Sequence, residues 1–389
     1  MVTLYSADNV LKTFYLDAMA ESLNMKTNPF LAQIERTASD VVGKDVRKIM
    51  RVGMNMGIGA GNEAGDLPKA KNNNYQALVA PLKNLYGTIE ISDKALRASA
   101  SNEGAFVNLL NEEMNALVKS ASFNFGRMLF GDGSGTIAIV TVTASEGFVG
   151  VDNVQNFVTG MYVQISSDGT NFWRVGKIDR ETNSVQLFKN DSMEPISAGV
   201  AAQGEVFFIN EGSLDNEITG LGAIFQETGT IYGLDKEKNG LQPYIMTDVG
   251  EIQDNVIQKA IDEVEATSGN AINFIICSWG VRRALINYYK EHNMSLPTIE
   301  IEGGFKALSF NGIPIVVDRF CPASTMYLLN TNAFKLHQLC DWQWLESEDG
   351  KILKQVPGKP VYTATLVKYA ELLCEQPQGQ AMLTGIVEL

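Results

Sequence analysis

The sequence predicts an α+β protein whose mixed body is interrupted by a small all-β domain, and three observations support this. Apolar residues recur at steps of three and four between Ser101 and Phe130, at Phe106, Leu110, Met114, Leu117, Ala121, Phe125 and Met128, tracing one face of a long helix. Between Thr136 and Ile209 the period falls to two, with turn residues separating short apolar runs. Beyond Gly303, the runs Phe305–Phe310 and Ile313–Asp318 flank Asn311-Gly312. Both turn residues tolerate the positive φ of a type I′ turn, so this is a hairpin signal.

The elements follow in order. Residues 1 to about 48 predict an arm followed by short helical pieces, broken at Asn28-Pro29. Lys48–Asn74 holds Gly53, Gly57, Gly59, Gly61, Gly65 and Asn72-Asn73-Asn74. It has too few large apolar groups to close a core, so an extended loop or hairpin is expected. Leu82–Ser92 returns as a strand and ends at Ser92-Asp93, a helix-start signal. The helix over 101–130, about 40 Å long, stops at Gly131-Asp132-Gly133-Ser134-Gly135.

Strands are then expected over Thr136–Thr143, Tyr162–Ser166, Phe172–Asp179, Ser184–Phe188 and Glu205–Ile209, with turns at Ser167-Asp168-Gly169 and Glu181-Thr182-Asn183. Such a set suggests a small barrel or sandwich. Ile231-Tyr232-Gly233-Leu234-Asp235 opens a second mixed region. Asp248 with Glu251 resembles a capping box, followed by the helical face Ile252, Val256, Ile257, Ala260, Ile261 and Val264. A buried strand Ile272–Cys277, a helix Trp279–Tyr289, the hairpin, and strands Met326–Leu329 and Val361–Ala370 complete the chain. Trp342 and Trp344 alternate, so both face one side of any strand there, as core anchors or, alternatively, interface anchors.

At 389 residues, 45% hydrophobic and 20% charged, the chain can build two or more cores. No apolar run approaches the roughly 18–20 residues that span a bilayer. Met1-Val2-Thr3-Leu4-Tyr5-Ser6 lacks a basic-then-apolar pattern, so no secretion signal is expected. Cys277, Cys321, Cys340 and Cys374 form no Cys-x-x-Cys, so reduced thiols and no structural zinc are expected. The net charge of −14 is uneven: through residue 100, 12 Lys+Arg face 10 Asp+Glu, leaving 19 against 35 in the remainder. An acidic body disfavours tight non-specific DNA binding, which needs cations to release counterions.

Catalytic chemistry is missing. His292 and His337 sit in no metal-ligand spacing and near no motif serine. There is no Gly-x-Ser-x-Gly elbow and no P-loop. Gly57-Ile58-Gly59-Ala60-Gly61 superficially matches a dinucleotide fingerprint, but Pro68 and the Asn cluster stand where its helix should be. Glu112-Glu113 and the acids from Glu346 to Asp349 fit solvated faces. No enzyme, cofactor or metal is expected.

The order Phe310-Asn-Gly-Ile-Pro-Ile-Val-Val-Asp318, Met326-Tyr-Leu-Leu-Asn330, Tyr369-Ala-Glu-Leu-Leu-Cys374 and Leu383-Thr-Gly-Ile386 resembles the C-terminal half of tailed-phage major capsid proteins with the Hong Kong 97-like fold. The resemblance implies an N-terminal arm (1–50), an extended E-loop (51–92) and a peripheral-domain spine helix (93–131). It further implies an inserted β-barrel or sandwich (132–212), a connection (213–240), an axial domain (241–340) and returning peripheral strands (341–389). It implies self-assembly into pentamers and hexamers of an icosahedral shell around double-stranded DNA, without sequence-specific binding. A portal, a separate scaffolding protein and a maturation protease would be partners, and the location would be the virion, assembled in the host bacterial cytoplasm. The arm is too short for a built-in scaffold, and Met1 favours an unprocessed chain. Candidate inter-subunit contacts are Lys69 and Lys71 of the E-loop, and Glu348, Asp349 and Lys351 of a turn that meets neighbours near three-fold axes. No asparagine follows Asn332, so a cross-link of E-loop lysine to peripheral-domain asparagine is not expected. The alternatives are an encapsulin-like nanocompartment shell and a carbohydrate-binding or adhesion protein acting through the β-domain.

Overall fold

The computed structural model describes residues 28–53, 55–63, 66, 68–94, 103–166, 168–190, 192–197, 206–294, 297–301, 305–346 and 350–389. Much of the expected N-terminal arm, residues 1–27, lies outside them, as do Ser101 and Asn102. From Asn28 the chain enters helix α1 (Pro29–Gln33), where proline at the first turn lacks only an N–H that has no intrahelical partner. Phe30 and Leu31 are thereby buried in the largest core. Strands β1 (Glu35–Thr37), β2 (Val41–Val42), β3 (Asp45–Val52) and β4 (Asn74–Pro81) follow. β2, β3 and β4 form one three-stranded sheet, and the β3–β4 ladder runs from Asp45 opposite Pro81 to Val52 opposite Asn74. The Gly/Asn-rich stretch is the tip of this hairpin. Next come β5 (Lys83–Ser92) and the long helix α2 (Glu103–Met128). α2 buries Met114, Phe125 and Met128 of the expected face, with Leu117 and Ala121 half-buried and Val118 buried beside them. At its C-terminal end Phe125 to Phe130 are all buried.

Six strands then close a barrel: β6 (Thr136–Ser145), β7 (Phe148–Val151), β8 (Tyr162–Ile165), β9 (Asp168–Asp179), β10 (Ser184–Lys189) and β11 (Phe207–Ile209). Their inward residues, among them Val149, Ile165, Val185, Leu187 and Phe208, make a separate core with Phe157 of the β7–β8 connection. β7 is not among the strands expected from sequence. It is four residues long, carries Gly150, and is set by the tight Glu146-Gly147 turn, both of whose residues have positive φ. The Ser167-Asp168-Gly169 turn is corrected too. β9 starts at Asp168, pairing with Ile165, so the connection is shorter than the turn chemistry suggested.

After the barrel come α3 (Leu221–Ile224), β12 (Thr230–Ile231), β13 (Leu234–Asp235), α4 (Lys236–Asn239), β14 (Tyr244–Met246) and α5 (Asp254–Ser268). α5 begins six residues beyond Asp248. The Asp248/Glu251 capping start fails because this stretch pairs with the C-terminal segment instead. Val249 and Gly250 donate backbone hydrogen bonds to Thr384 and Gly385 at 3.1 and 3.0 Å, and Asp248 takes a left-handed φ of 53°. The face Ile257, Ala260, Ile261 and Val264 is buried as expected.

β15 (Phe274–Cys277), α6 (Trp279–Glu291), β16 (Thr298–Ile301), β17 (Phe305–Phe310), β18 (Ile313–Val317) and β19 (Met326–Leu329) continue the chain. They are followed by β20 (Phe334–Trp344), β21 (Lys354–Gln355), β22 (Val361–Cys374) and β23 (Ala381–Leu383). The second sheet has the order β14-β23-β19-β15-β18-β17-β16 and packs α5 and α6 in its own core. The main sheet runs β1-β20-β22-β21, with β5 also paired to β22. Trp342 and Trp344 are both buried on β20. In the β17–β18 hairpin Asn311 and Gly312 have φ of 49° and 82°, the type I′ signature. Gly312→Val should therefore cost about 1–2 kcal/mol, the penalty of a left-handed backbone for an L residue. Urea unfolding of the purified chain measures this.

Candidate assembly surfaces

The β3–β4 hairpin is rooted by apolar and charged contacts. Val46, Leu78 and Ala80 turn inward and are buried in the largest core. Val79 N–H donates to Tyr232 O at 3.1 Å, and Leu82 N–H to Lys44 O at 2.9 Å. Lys48 pairs with Glu375, and Lys335 lies 3.3 Å from Glu35 and 3.8 Å from Glu375. Further out, the described residues of the arm have no such support. The described residues from Asn55 to Met56 and from Ile58 to Asn72 are exposed. Ile49 is 75% exposed and Ile58 84%, and Met56 and Tyr75 are also open. The register sets Ile49 opposite Ala77 and Arg51 opposite Tyr75, so one hairpin face carries apolar and basic groups together.

Lys69 and Lys71 are exposed on this tip and form no ion pair among the described residues. Lys351 is exposed in the β20–β21 connection, where Ile352 and Leu353 turn inward. Glu348 and Asp349 lie outside the described residues. Of the predicted contacts that are described, Lys69 and Lys71 thus lie on the hairpin tip and Lys351 lies in the β20–β21 connection.

Sequence reasoning did not find the buried polar junction where α2, the barrel and the main sheet meet. Arg127, in the last turn of α2, pairs with Glu217 in the chain leaving β11, and both side chains are nearly inaccessible. Arg127 Nε and Nη2 also donate to Asn124 Oδ1 at 3.1 and 2.9 Å, and Asn210 Nδ2 donates to the same oxygen at 2.9 Å. On β22, Lys368 Nζ donates to Gln338 Oε1 at 2.8 Å and to Asp341 Oδ1 at 2.5 Å, above the rings of Phe125 and Trp342. Glu371 Oε1 accepts from Thr219 N–H at 2.6 Å, and burial pushes this carboxyl up to about 7. Lys236 Nζ donates to the carbonyls of Ala223, Ile224 and Gln226 at the end of α3, and burial lowers its ammonium to about 8. The available signal was charge inside apolar runs. Lys368 and Glu371 interrupt Leu366–Cys374, and a charge buried in a sheet requires a partner.

Beside this junction a cleft of about 840 Å³ separates the barrel segment Val158–Tyr162 from α2 and β5. Tyr86, Leu117, Phe123, Tyr162, Arg319 and Trp342 contribute to its wall. The Arg319 guanidinium stacks 4.8 Å above Phe123 and donates to Phe157 O at 3.3 Å, fastening the second sheet's 319–320 loop to the barrel. All four cysteines are free thiols, and burial pushes Cys277 up to about 12. Among the described residues no group of three His, Cys, Asp or Glu could hold a metal.

No protein-family model matches the sequence, and no curated protein resembles it. Solved structures do. The chain is similar to a subunit of the cyanophage A-1(L) capsid asymmetric unit at 12% identity, with a TM-score of 0.58, covering 92% of this chain and 93% of that one. The fold is Hong Kong 97-like. Lower similarities extend to the capsid of an empty GTA particle (11% identity, TM-score 0.49, 92% and 90% covered). They also reach the holo-SrpI encapsulin complex of Synechococcus elongatus PCC 7942 (9%, 0.45, 91% and 85%). In this Hong Kong 97-like chain the β3–β4 hairpin is rooted in the largest core, and the barrel joins the body beside the buried junction.

Proposed function

We propose that this chain is the major capsid protein of a tailed phage, assembling into pentamers and hexamers of an icosahedral shell around double-stranded DNA. The observation that carries the reading is the likeness over nine-tenths of both chains to a cyanophage capsid subunit. The arm agrees with it. An extended hairpin whose tip is exposed costs ordering entropy, and contacts from a neighbour would offset that cost. Head-to-tail contacts of this kind close into rings, and several weak contacts per subunit sum to a stable shell. The role is structural and non-enzymatic. A portal, a separate scaffolding protein and a maturation protease are the expected partners, with assembly in the bacterial cytoplasm and final residence in the virion. The barrel, within residues 132–212, is an insertion that stabilises capsomers or faces outward.

Lys69 and Lys71 are assigned to acidic groups on the adjacent subunit, and Glu348, Asp349 and Lys351 to contacts near the three-fold axes. The charge reversal K69E/K71E should leave the subunit folded and raise the protein concentration needed for assembly at least about tenfold, because the lost contact is repeated at every subunit. Sedimentation velocity over a concentration series reads this, and particles forming at the wild-type concentration would refute the assignment.

A further inference from the structure

His337 on β20 and Glu371 on β22 are direct partners across the antiparallel ladder, and both are almost completely buried. His337 Nδ1 lies 3.2 Å from Ser39 O, an acceptor, so the ring proton sits on Nδ1 and Nε2 presents a lone pair. Among the described residues that Nε2 has no hydrogen-bond partner. Glu371 uses Oε1 to accept from the backbone N–H groups of Thr219 and Leu372, at 2.6 and 3.1 Å. Its Oε2 likewise has none among the described residues. Directly opposed residues share a face of the sheet with Cβ atoms about 4.5–5.5 Å apart. Each residue also tethers a different segment. His337 holds the Ser39–Asp40 turn at the root of the arm, and Glu371 holds Thr219 on the chain returning from the barrel.

We propose that His337 and Glu371 form a shared proton site that couples the root of the arm to the barrel's return segment. A proton on Glu371 Oε2 makes that oxygen a donor, and His337 Nε2 is the matching acceptor. They join directly after a small side-chain rotation, or through one water. In this state both orphan atoms are satisfied and neither residue carries a buried charge. Loss of the proton leaves a buried carboxylate facing a lone pair. A second proton places a buried imidazolium beside the site.

The surrounding charges do not supply a substitute. Asp40, Lys48 and Glu375 face His337, with Lys48 and Glu375 paired to each other, and Lys83 faces Glu371 from β5. The buried Tyr232 phenol, bonded to the Leu372 and Cys374 backbone, faces Glu371 from the β12–β13 turn and stays protonated. Burial raises Glu371 to about 7, so its contribution to stability is complete below the unfolded carboxyl range and is lost as pH rises through about 7. Burial lowers His337, so its contribution is complete above the unfolded imidazole range and is lost as pH falls through the lowered value. Between the lowered His337 value and about 7 both groups are neutral in the folded chain, which is the state the shared proton requires.

The inference concerns the folded subunit and does not depend on what the subunit assembles into. The test uses the full chain with labelled histidine and exposed His292 replaced by glutamine, leaving one imidazole. NMR titration should find His337 neutral with its proton on Nδ1, and its Nε2 shift should step near pH 7 as Glu371 ionises. E371Q should abolish the step. Hydrogen-exchange protection at residues 35–52 and 213–222, after correction for the base-catalysed intrinsic rate, should fall about tenfold above that pH in the parent and not in E371Q. A folded parent without the step, or a step that survives in E371Q, overturns the proposal. If E371Q does not fold, H337Q read through the Glu371 carboxyl carbon gives the same comparison. An apparent pKa shifted by about one unit supports the site, and an unshifted value overturns it.

Discussion

Glu217→Ala should destabilise the folded subunit by about 3–5 kcal/mol, the cost of leaving a buried charge without its partner. Arg127 and Glu217 are 2% and 3% exposed, so solvent cannot replace the lost carboxylate. The pair also sits where the barrel is fastened. Chain entering and leaving the barrel runs together there, with Leu221 N–H donating to Leu129 O and Asp215 N–H to Ser134 O, both at 2.8 Å. The approach is so close that a Cβ on Gly220 would lie 2.3 Å from Met128 O. Urea unfolding reports on both sides of the junction, through Trp173 in the barrel and Trp342 in the main sheet. In Glu217→Ala the two probes should separate, with the barrel losing its cooperative link to the body. The double variant R127M/E217L should recover most of the loss, because it removes both buried charges. A loss under about 1 kcal/mol in Glu217→Ala would mean that the junction is not what holds the barrel in place.

Replacing residues 53–73 by Asn-Gly should leave a folded subunit that no longer assembles. Val52 and Asn74 are paired at the end of the β3–β4 ladder, where a two-residue type I′ turn closes a hairpin without disturbing the register. The described residues removed are exposed or half-covered, and the apolar anchors of the arm, Val46, Leu78 and Ala80, remain. Thermal unfolding should stay within a few degrees of the parent, as expected when the change in stability is about 1 kcal/mol or less. Sedimentation velocity should find only small species. Assembly at the parental concentration would show that the arm's tip contributes nothing between subunits.

The legible parts of this fold are those decided locally. The α2 face at Met114 and Phe125, the Asn311-Gly312 turn and the strand Met326–Leu329 all follow from periodicity or turn chemistry within a few residues. Elements decided by tertiary pairing were harder to read. Asp248 and Glu251 look like a helix start, yet Val249 and Gly250 are captured by the C-terminal segment. β7 is too short to carry a period, and its place is fixed by β6 and β10 on either side. The buried junction was not legible because its members are far apart in sequence: 90 residues separate Arg127 from Glu217, and 152 separate Thr219 from Glu371. Lys69 and Lys71 were legible as basic groups on a loop, and the structure finds them exposed at the tip of the β3–β4 hairpin.

The most direct measurement is negative-stain electron microscopy of the purified chain, alone and co-expressed with a scaffolding protein encoded beside it. The account predicts closed shells or rings of five and six subunits, with the contents of the shells separating a genome container from a protein-filled compartment. Stable monomers under every condition, crowding and scaffold included, would contradict it.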